Sequence, residues 1–200
     1  MNTSVVVEKA AAAAWTHAEI TSACGTAIAL AGAAATAVFA LINVRNAVKW
    51  KRAELANSYL KELVSDETIA FATRSLDWLV GTFAVPARLL PLVPGEARAM
   101  QHDYRLMIDV ALKPMLTVTE MQADFRVEVY RTAIDGFLTW LSIVSNALER
   151  QLFSAADIGE LRYWIVKIAS EPALMRFAKA YEYDKAIASL CRHFEVKPQL

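Results

Sequence analysis

The distribution of hydrophobic and charged residues divides the chain into a charge-free N-terminal run and a longer amphipathic remainder. Residues 20–44 contain no Asp, Glu, Lys or Arg. As a helix this run is about 37 Å long, which exceeds the hydrocarbon thickness of a bilayer, about 30 Å. The pattern therefore predicts one transmembrane helix over residues 20–44, although alanine contributes much of its content.

Three other interpretations of this run stay open. The first is a cleavable signal peptide, because Ala-x-Ala sequences occur in residues 31–37. Against it, Lys9 beside Glu8 is a weak basic region, and the apolar run is longer than a signal peptide requires. The second is a buried helix of a soluble domain, which the length disfavours. The third is an amphipathic helix on a membrane surface, which the lack of a charged face disfavours.

Charged residues flank the run unequally. Four basic residues, here called the basic collar, follow it: Arg45, Lys49, Lys51 and Arg52. Basic residues are retained on the cytoplasmic side, so we expect a single pass through a bacterial inner membrane with the N-terminus outside and the C-terminal domain in the cytoplasm. Trp15 and Trp50 flank the run, and indole rings favour the membrane interface.

The rest of the sequence predicts helices. Apolar residues recur every three or four positions, and no strand-like alternation or hairpin turn is evident. We therefore expect an all-α protein whose N-terminal transmembrane helix continues into a cytoplasmic bundle of about five further helices. The predicted organisation is an extracytoplasmic segment 1–19, a span 20–44, a helical extension 45–65 and a helical domain 66–200.

Helix boundaries follow from capping residues, prolines and hydrophobic spacing. The further helices are predicted over residues 66–81, 96–112, 130–152, 154–168 and 170–194. The third of these has a continuous apolar stripe and is the expected core helix, and the last shifts phase, which indicates a bend. Glu128, Arg131 and Asp135 have the spacing of ion pairs on the outside of the core helix.

Composition and charge restrict the function classes. The mean hydropathy is +0.30, and the apolar excess lies in the first 44 residues. The formal net charge is zero, and acidic residues outnumber basic ones after Arg52, so we expect no direct binding of nucleic acid. Cys24 and Cys191 lack metal-ligand spacing and are typical of a protein in a reducing compartment.

Small and weakly polar residues follow one face of the predicted span. This small-residue face comprises Ser22, Gly25, Ala29, Gly32, Thr36 and Asn43. Such spacing lets helix backbones approach closely in lipid, so we expect a homo-oligomer. Chance occurrence in an alanine-rich span is the alternative. A pore lined by this face would be a further step, because it requires many copies.

No catalytic signature is evident in the sequence. It contains no HExxH, GxSxG, Walker or GxGxxG motif. Arg98, His102 and Asp103 are the nearest approach to a functional cluster, with a solvated helix face as the alternative. The arginine and histidine are too close together for the signature of helical HEPN-type RNases. We expect no enzymatic activity, cofactor or metal, and a membrane-tethered, nuclease-like enzyme using this cluster is the alternative.

Scattered residues also support a resemblance to a known group. They are residues 50–53 after the span, then Arg131, Asp135, Phe137 and Leu138, and finally Ser154, Asp157, Leu161, Tyr163 and Trp164. With the overall layout, they resemble uncharacterised bacterial single-span proteins with small helical cytoplasmic domains. In outline the chain is similar to accessory membrane proteins of RNA-targeting CRISPR loci, which assemble as pores. The resemblance implies a self-assembling membrane effector or pore in antiphage defence with a cytoplasmic protein partner. A monomeric tether for such a partner is the alternative, and no catalytic residue is implied.

Overall fold

A computed structural model describes residues 17–197 and is mostly helical. The principal elements are α1 (His17–Ser65), α2 (Glu67–Asp77), β1 (Val80–Ala84), β2 (Ala99–Asp103), α3 (Val118–Ala123), α4 (Phe125–Glu149), α5 (Leu161–Ser170), α6 (Pro172–Ala180) and α7 (Asp184–His193). Shorter helical segments are a 3-10 helix at Ala87–Leu92, a π-helix at Leu106–Ala111 and a 3-10 helix at Ala155–Ile158. The predicted all-α class is confirmed. The chain divides into two compact units, the first ending at Lys49 and the second beginning at Trp50.

The first unit is the N-terminal part of α1. Its described side chains are exposed. The helical stretch Cys24–Ser65 contains an apolar window with a mean hydropathy of 2.1, none of which is buried. By length and composition it is a candidate membrane span. Helix α1 then continues to Ser65, where the sequence predicts its end. Residues 1–16, including Trp15, lie outside the described residues, so the predictions for them stay predictions.

Helix α4 is the central element of the second unit. The predicted core stripe is at most 2% exposed at Tyr130, Ile134, Phe137, Leu141, Val144 and Leu148. Helices α2 and α7 pack against α4. The helix begins at Asp124, whose carboxylate accepts the Arg126 backbone N–H, as expected for an N-cap. Leu152, the last residue of the predicted stripe, lies beyond the helix end and is 44% exposed.

Two strands interrupt the helices of the second unit, and the predicted helix over residues 96–112 is wrong. Its first part is β2, which pairs antiparallel with β1 so that Val80 lies opposite Asp103. Met100 and His102 are buried while Ala99 and Gln101 are exposed, which is the two-residue period of a strand. The helix predicted over residues 66–81 also ends early, at Asp77, because residues 80–84 pair with β2 in this two-stranded sheet.

The C-terminal part contains more helices than predicted. The predicted start at Pro172 is confirmed, with the Glu171 carboxylate accepting the Ala173 N–H. The long helix predicted after it is two helices, because Glu182 adopts a left-handed conformation with φ 64° between α6 and α7. Ser154 opens a short 3-10 helix, and α5 starts only at Leu161.

Arg131 of α4 has other partners than the sequence predicts. Its guanidinium donates to the carbonyl oxygens of Ala111 and Lys113, at 2.6 and 2.7 Å. It also lies 5.0 Å from the ring centre of Phe177. Asp135 instead accepts a hydrogen bond from the Tyr183 hydroxyl at 2.7 Å. Arg131 therefore joins α4 to the end of the π-helix, and the predicted ion pairs along α4 are wrong.

Candidate functional site

The small-residue face occupies an exposed part of α1. All six of its residues are exposed. A Cβ atom added at Gly25 or Gly32 would meet nothing within 4 Å. Both glycines therefore present backbone that a second helix can approach closely, and neither glycine is required by packing within one copy.

Two hydroxyl groups of this segment are satisfied within the helix. Thr26 donates to the Ser22 carbonyl oxygen at 2.9 Å, and Thr36 donates to the Gly32 carbonyl oxygen at 2.8 Å. A polar group in hydrocarbon requires such a partner. These threonines are therefore compatible with an apolar surrounding.

Large apolar side chains on α1 are exposed in the described part of the first unit. Ile28, Leu30, Phe39 and Leu41 are 73, 66, 68 and 63% exposed. Soluble monomers rarely expose contiguous apolar patches larger than a few hundred Å². An apolar medium or an apolar partner is therefore needed to cover this helix.

The basic collar is exposed at each of its four residues, and Trp50 beside it is 76% exposed. In the second unit, the Arg52 charge contributes to lowering the pKa of Asp157, after the larger contributions of the hydrogen bonds from Ser154. A cluster of exposed cations and one indole directly after an apolar helix suits the interfacial layer of a membrane.

His102 lies in the interior of the second unit, where its polar groups are paired. The side chain is 1% exposed and stacks on Phe83, with ring centres 4.7 Å apart. Its Nε2 is 2.8 Å from the Trp78 carbonyl oxygen, and its Nδ1 is 2.7 Å from the Tyr130 hydroxyl. A carbonyl only accepts, so Nε2 bears the proton. The Tyr130 hydroxyl accepts the Asp103 backbone N–H at 3.0 Å and can donate its own proton to Nδ1.

Burial sets the protonation of this network. Desolvation lowers the pKa of His102 below its ordinary 6.5, although the Trp78 hydrogen bond and the charge of Asp103 act in the opposite direction. Desolvation also raises the pKa of the Tyr130 phenol to about 12. A neutral imidazole and a neutral phenol are therefore the favoured states. This geometry favours a role in holding β2 against α4 and leaves neither ring nitrogen free for a substrate.

The three residues of the predicted cluster do not converge on one site. Arg98 is exposed and precedes β2. The Asp103 carboxylate accepts the backbone N–H groups of Arg105 and Leu106, at 2.9 and 3.2 Å. It therefore caps the turn that leads into the π-helix, while His102 points into the interior.

Sequence reasoning missed the polar partners of His102. Tyr130 was expected only as a core residue, and Trp78 was expected inside a helix. Both lie more than twenty residues away along the chain, so only the alternation of buried Met100 and His102 offered a local indication of the strand. The apolar residues of 96–112 recur at helical spacing, so the sequence predicted a helix where β2 lies.

Among residues 17–197, no group of three or more His, Cys, Asp and Glu side chains is placed to hold a metal ion. The chain matches no model of a known protein family, no curated protein and no solved structure.

Proposed function

We propose that this protein is a bacterial inner-membrane protein that self-assembles through α1 and acts by interaction and not by catalysis. Its role would be that of a membrane effector, or a pore, in antiphage defence with a cytoplasmic protein partner. The observation on which the proposal depends is the exposed apolar helix α1, whose apolar window has no buried residue.

Membrane insertion would remove the exposed apolar surface of α1 from water. Burial of apolar area is favourable by about 25 cal/mol per Å², so each large side chain transferred contributes on the order of 1.5–3 kcal/mol. The intrahelical hydrogen bonds of Thr26 and Thr36 reduce the cost of transferring their hydroxyls. The basic collar would then lie on the cytoplasmic side.

Self-assembly is supported by the open backbone at Gly25 and Gly32. Glycine in a helix interior costs about 1 kcal/mol relative to alanine. Neither glycine avoids a clash within one copy. Close approach of a neighbouring helix gives both positions a physical role, because packing and interhelical hydrogen bonds are the main attractions between helices in lipid.

The proposal is tested by the mass of the detergent-solubilised protein, measured by light scattering with the detergent contribution subtracted. We expect a single multimer of the 22.1 kDa chain for the wild type, with a mass independent of concentration. Gly32→Leu should shift it to the monomer, because the larger side chain fits one copy but separates two backbones. Ala34→Leu is the matched control, since position 34 lies on the opposite side of the helix.

Either a wild-type monomer or a Gly32→Leu variant with unchanged mass would refute assembly through this face, and the first result would favour the monomeric tether. Pore activity is measured separately, by dye release from vesicles that contain the protein. We expect release from vesicles with the wild type and with Ala34→Leu, and none with Gly32→Leu.

A further inference from the structure

The second unit has a cleft with a mixed polar and apolar lining beside the start of its α1 segment. The cleft has a volume of about 500 Å³ and is lined chiefly by Arg52, Leu148, Gln151, Phe153, Ser154 and His193. Three separate parts of the chain form it: α1, the turn after α4, and the end of α7. Because Arg52 and His193 are both exposed, the cleft is open to a ligand that approaches from solvent.

Chain connectivity keeps this cleft near the membrane. Arg52 follows Val44, the last residue of the predicted span, by eight positions, which corresponds to about 12 Å along a helix. The polar headgroup layer extends about 5–7 Å beyond the hydrocarbon on each side. Helical side chains point back toward the helix N-terminus, so the long Arg52 side chain lies over the preceding turn of α1, on the side of the predicted span. Headgroups are therefore within its reach.

The polar chemistry of the cleft suits an anion. Arg52 on α1 and His193 on α7 supply cationic or donor groups from two walls, and the Gln151 amide supplies further donors. The Asp157 carboxylate, whose pKa the Arg52 charge helps to lower, accepts the Ser154 backbone N–H at 2.8 Å and its hydroxyl at 2.7 Å. Glu149 likewise accepts the Ser189 hydroxyl at 2.6 Å. These two carboxylates are thus engaged in local hydrogen bonds.

The turn after α4 adds an apolar contact beside the cleft. Gln151 has a positive φ of 56°, and the adjacent Leu152 is 44% exposed. The next residue, Phe153, is buried and lies 5.4 Å from the Tyr59 ring of α1, measured between ring centres. Phe153 therefore holds the turn on α1, while Leu152 and Arg150 remain free to contact a surface. An exposed leucine two positions after an exposed arginine suits the boundary between headgroups and acyl chains.

We propose that this headgroup face, made of Arg52, Arg150, Leu152 and His193, rests on the cytoplasmic leaflet and that its cleft binds the phosphodiester headgroup of an anionic phospholipid. The inference depends on the proposed membrane anchorage of α1, and it adds a second, peripheral membrane contact. Each basic residue near an anionic surface contributes on the order of 1 kcal/mol, so loss of the Arg52 charge should weaken the contact about fivefold.

The test uses the full chain in nanodiscs and a bimane fluorophore on single cysteines. Leu152→Cys, in a Cys24→Ala background, reports the headgroup face. Cys191 stays unlabelled because it is 4% exposed and burial raises the pKa of its thiol. The labelled native Cys24 reports insertion of the span. Met115→Cys is the control, since Met115 is 89% exposed and lies near Arg131, toward the other end of the roughly 37 Å long α4.

Nitroxide-labelled lipids in the nanodisc quench a fluorophore that touches the bilayer. We expect the label at position 152 to be quenched by headgroup nitroxides when phosphatidylglycerol is present, and at least about fivefold less in pure phosphatidylcholine. The label at position 115 should stay bright in both. Arg52→Gln with His193→Gln should reduce the dependence on phosphatidylglycerol at least about fivefold, whereas Arg176→Gln, at an exposed position on α6, should preserve it.

The outcomes separate the two proposals. Quenching at position 24 by acyl-chain nitroxides without quenching at position 152 would overturn the headgroup face and leave the membrane anchor intact. Absence of quenching at position 24 would overturn the anchor itself. Quenching at position 152 that is equal in both lipids would contradict anionic headgroup binding.

Discussion

At the scale of the residue, the Tyr130 hydroxyl is central to the contact between β2 and α4, because one oxygen pairs with a buried imidazole and a partly buried backbone N–H. It accepts the Asp103 N–H at 3.0 Å and lies 2.7 Å from His102 Nδ1. Both partners are on β2, whereas Tyr130 is on α4. A two-stranded hairpin is marginal alone in water, so contacts of this kind are needed to hold it.

We expect Tyr130→Phe to lower the free energy of unfolding by about 1–3 kcal/mol, because the ring volume stays while two buried polar groups lose their partner. The measurement is thermal or chemical unfolding of the detergent-solubilised protein, followed by circular dichroism. Tyr59→Phe is the control: its half-buried ring packs against Phe153, and the change should stay within about 0.5 kcal/mol. Equal effects of the two changes would contradict the network.

The protonation of His102 makes stability dependent on pH. Burial lowers its folded-state pKa below the ordinary 6.5, so below pH 6.5 the unfolded chain binds more protons than the folded chain. This contribution to stability is therefore complete above pH 6.5 and declines as pH falls from 6.5 toward the lowered pKa. Unfolding measured between pH 5 and 8 avoids most carboxylate titration, since ordinary values are about 4.

We expect His102→Gln to remove this decline and the exposed His193→Gln to retain it. A decline that is identical in the wild type and in His102→Gln would assign it to another group.

The sequence predicted Tyr130 as a core residue, but the pairing of its hydroxyl depends on a strand that lies 28 positions away. The local pattern of apolar and polar residues around Tyr130 does not indicate a hydrogen-bond partner so far away along the chain.

At the scale of the element, the carbonyl groups at the C-terminal end of the π-helix Leu106–Ala111 are hydrogen-bonded by a side chain from α4. Carbonyl groups at a helix end lack intrahelical donors. Arg131 donates to the Ala111 and Lys113 carbonyls and contacts the Tyr181 hydroxyl, and its guanidinium packs on Phe177. One planar cation thus joins four parts of the second unit.

We expect Arg131→Lys to destabilise the protein by about 1–3 kcal/mol, because an ammonium group cannot reproduce a planar fork that binds two carbonyls and stacks on a ring. Unfolding by urea, followed by circular dichroism in detergent, measures the change. Arg176→Lys, at an exposed position of α6, should change the free energy of unfolding by less than about 0.5 kcal/mol. If Arg131→Lys changed the free energy of unfolding by less than about 0.5 kcal/mol, the positive charge and not the planar guanidinium would account for the contribution of Arg131.

The elements also differ in how far the sequence predicts them. Helix α4 is well predicted because many apolar positions repeat at one period, and α1 because its charge-free run is long. Strand β2 has only Met100 and His102 buried, and β1 only Phe83, which is too few positions to establish a period. The break between α6 and α7 lacks glycine and proline; only the shift of hydrophobic phase near Tyr183 indicated it.

At the scale of the whole molecule, charge distribution is the feature that relates the chain to a membrane. The apolar run has no charged residue, the basic collar follows it directly, and the remaining residues carry more acidic than basic groups. Length and composition of α1 were predictable because they are local properties. The cleft was not, because Arg52 on α1 and His193 on α7 line it from distant parts of the chain.

The basic collar should determine the orientation of the chain. Lysine and arginine within about 15–20 residues of a span favour retention on the cytoplasmic side. We therefore expect the combined change Arg45→Gln, Lys49→Gln and Lys51→Gln to produce a mixed population, in which part of the molecules place their C-terminus outside.

A C-terminal fluorescent protein that matures only in the cytoplasm measures this population, normalised to total protein by immunoblot. The matched control is Arg176→Gln with Lys179→Gln and Lys185→Gln, which removes the same charge from exposed positions far from the span. It should keep full fluorescence, because distant charges do not act on insertion. If both triple variants stay fully fluorescent, orientation is set by features other than the basic collar; if the wild type is dark, the predicted orientation is wrong.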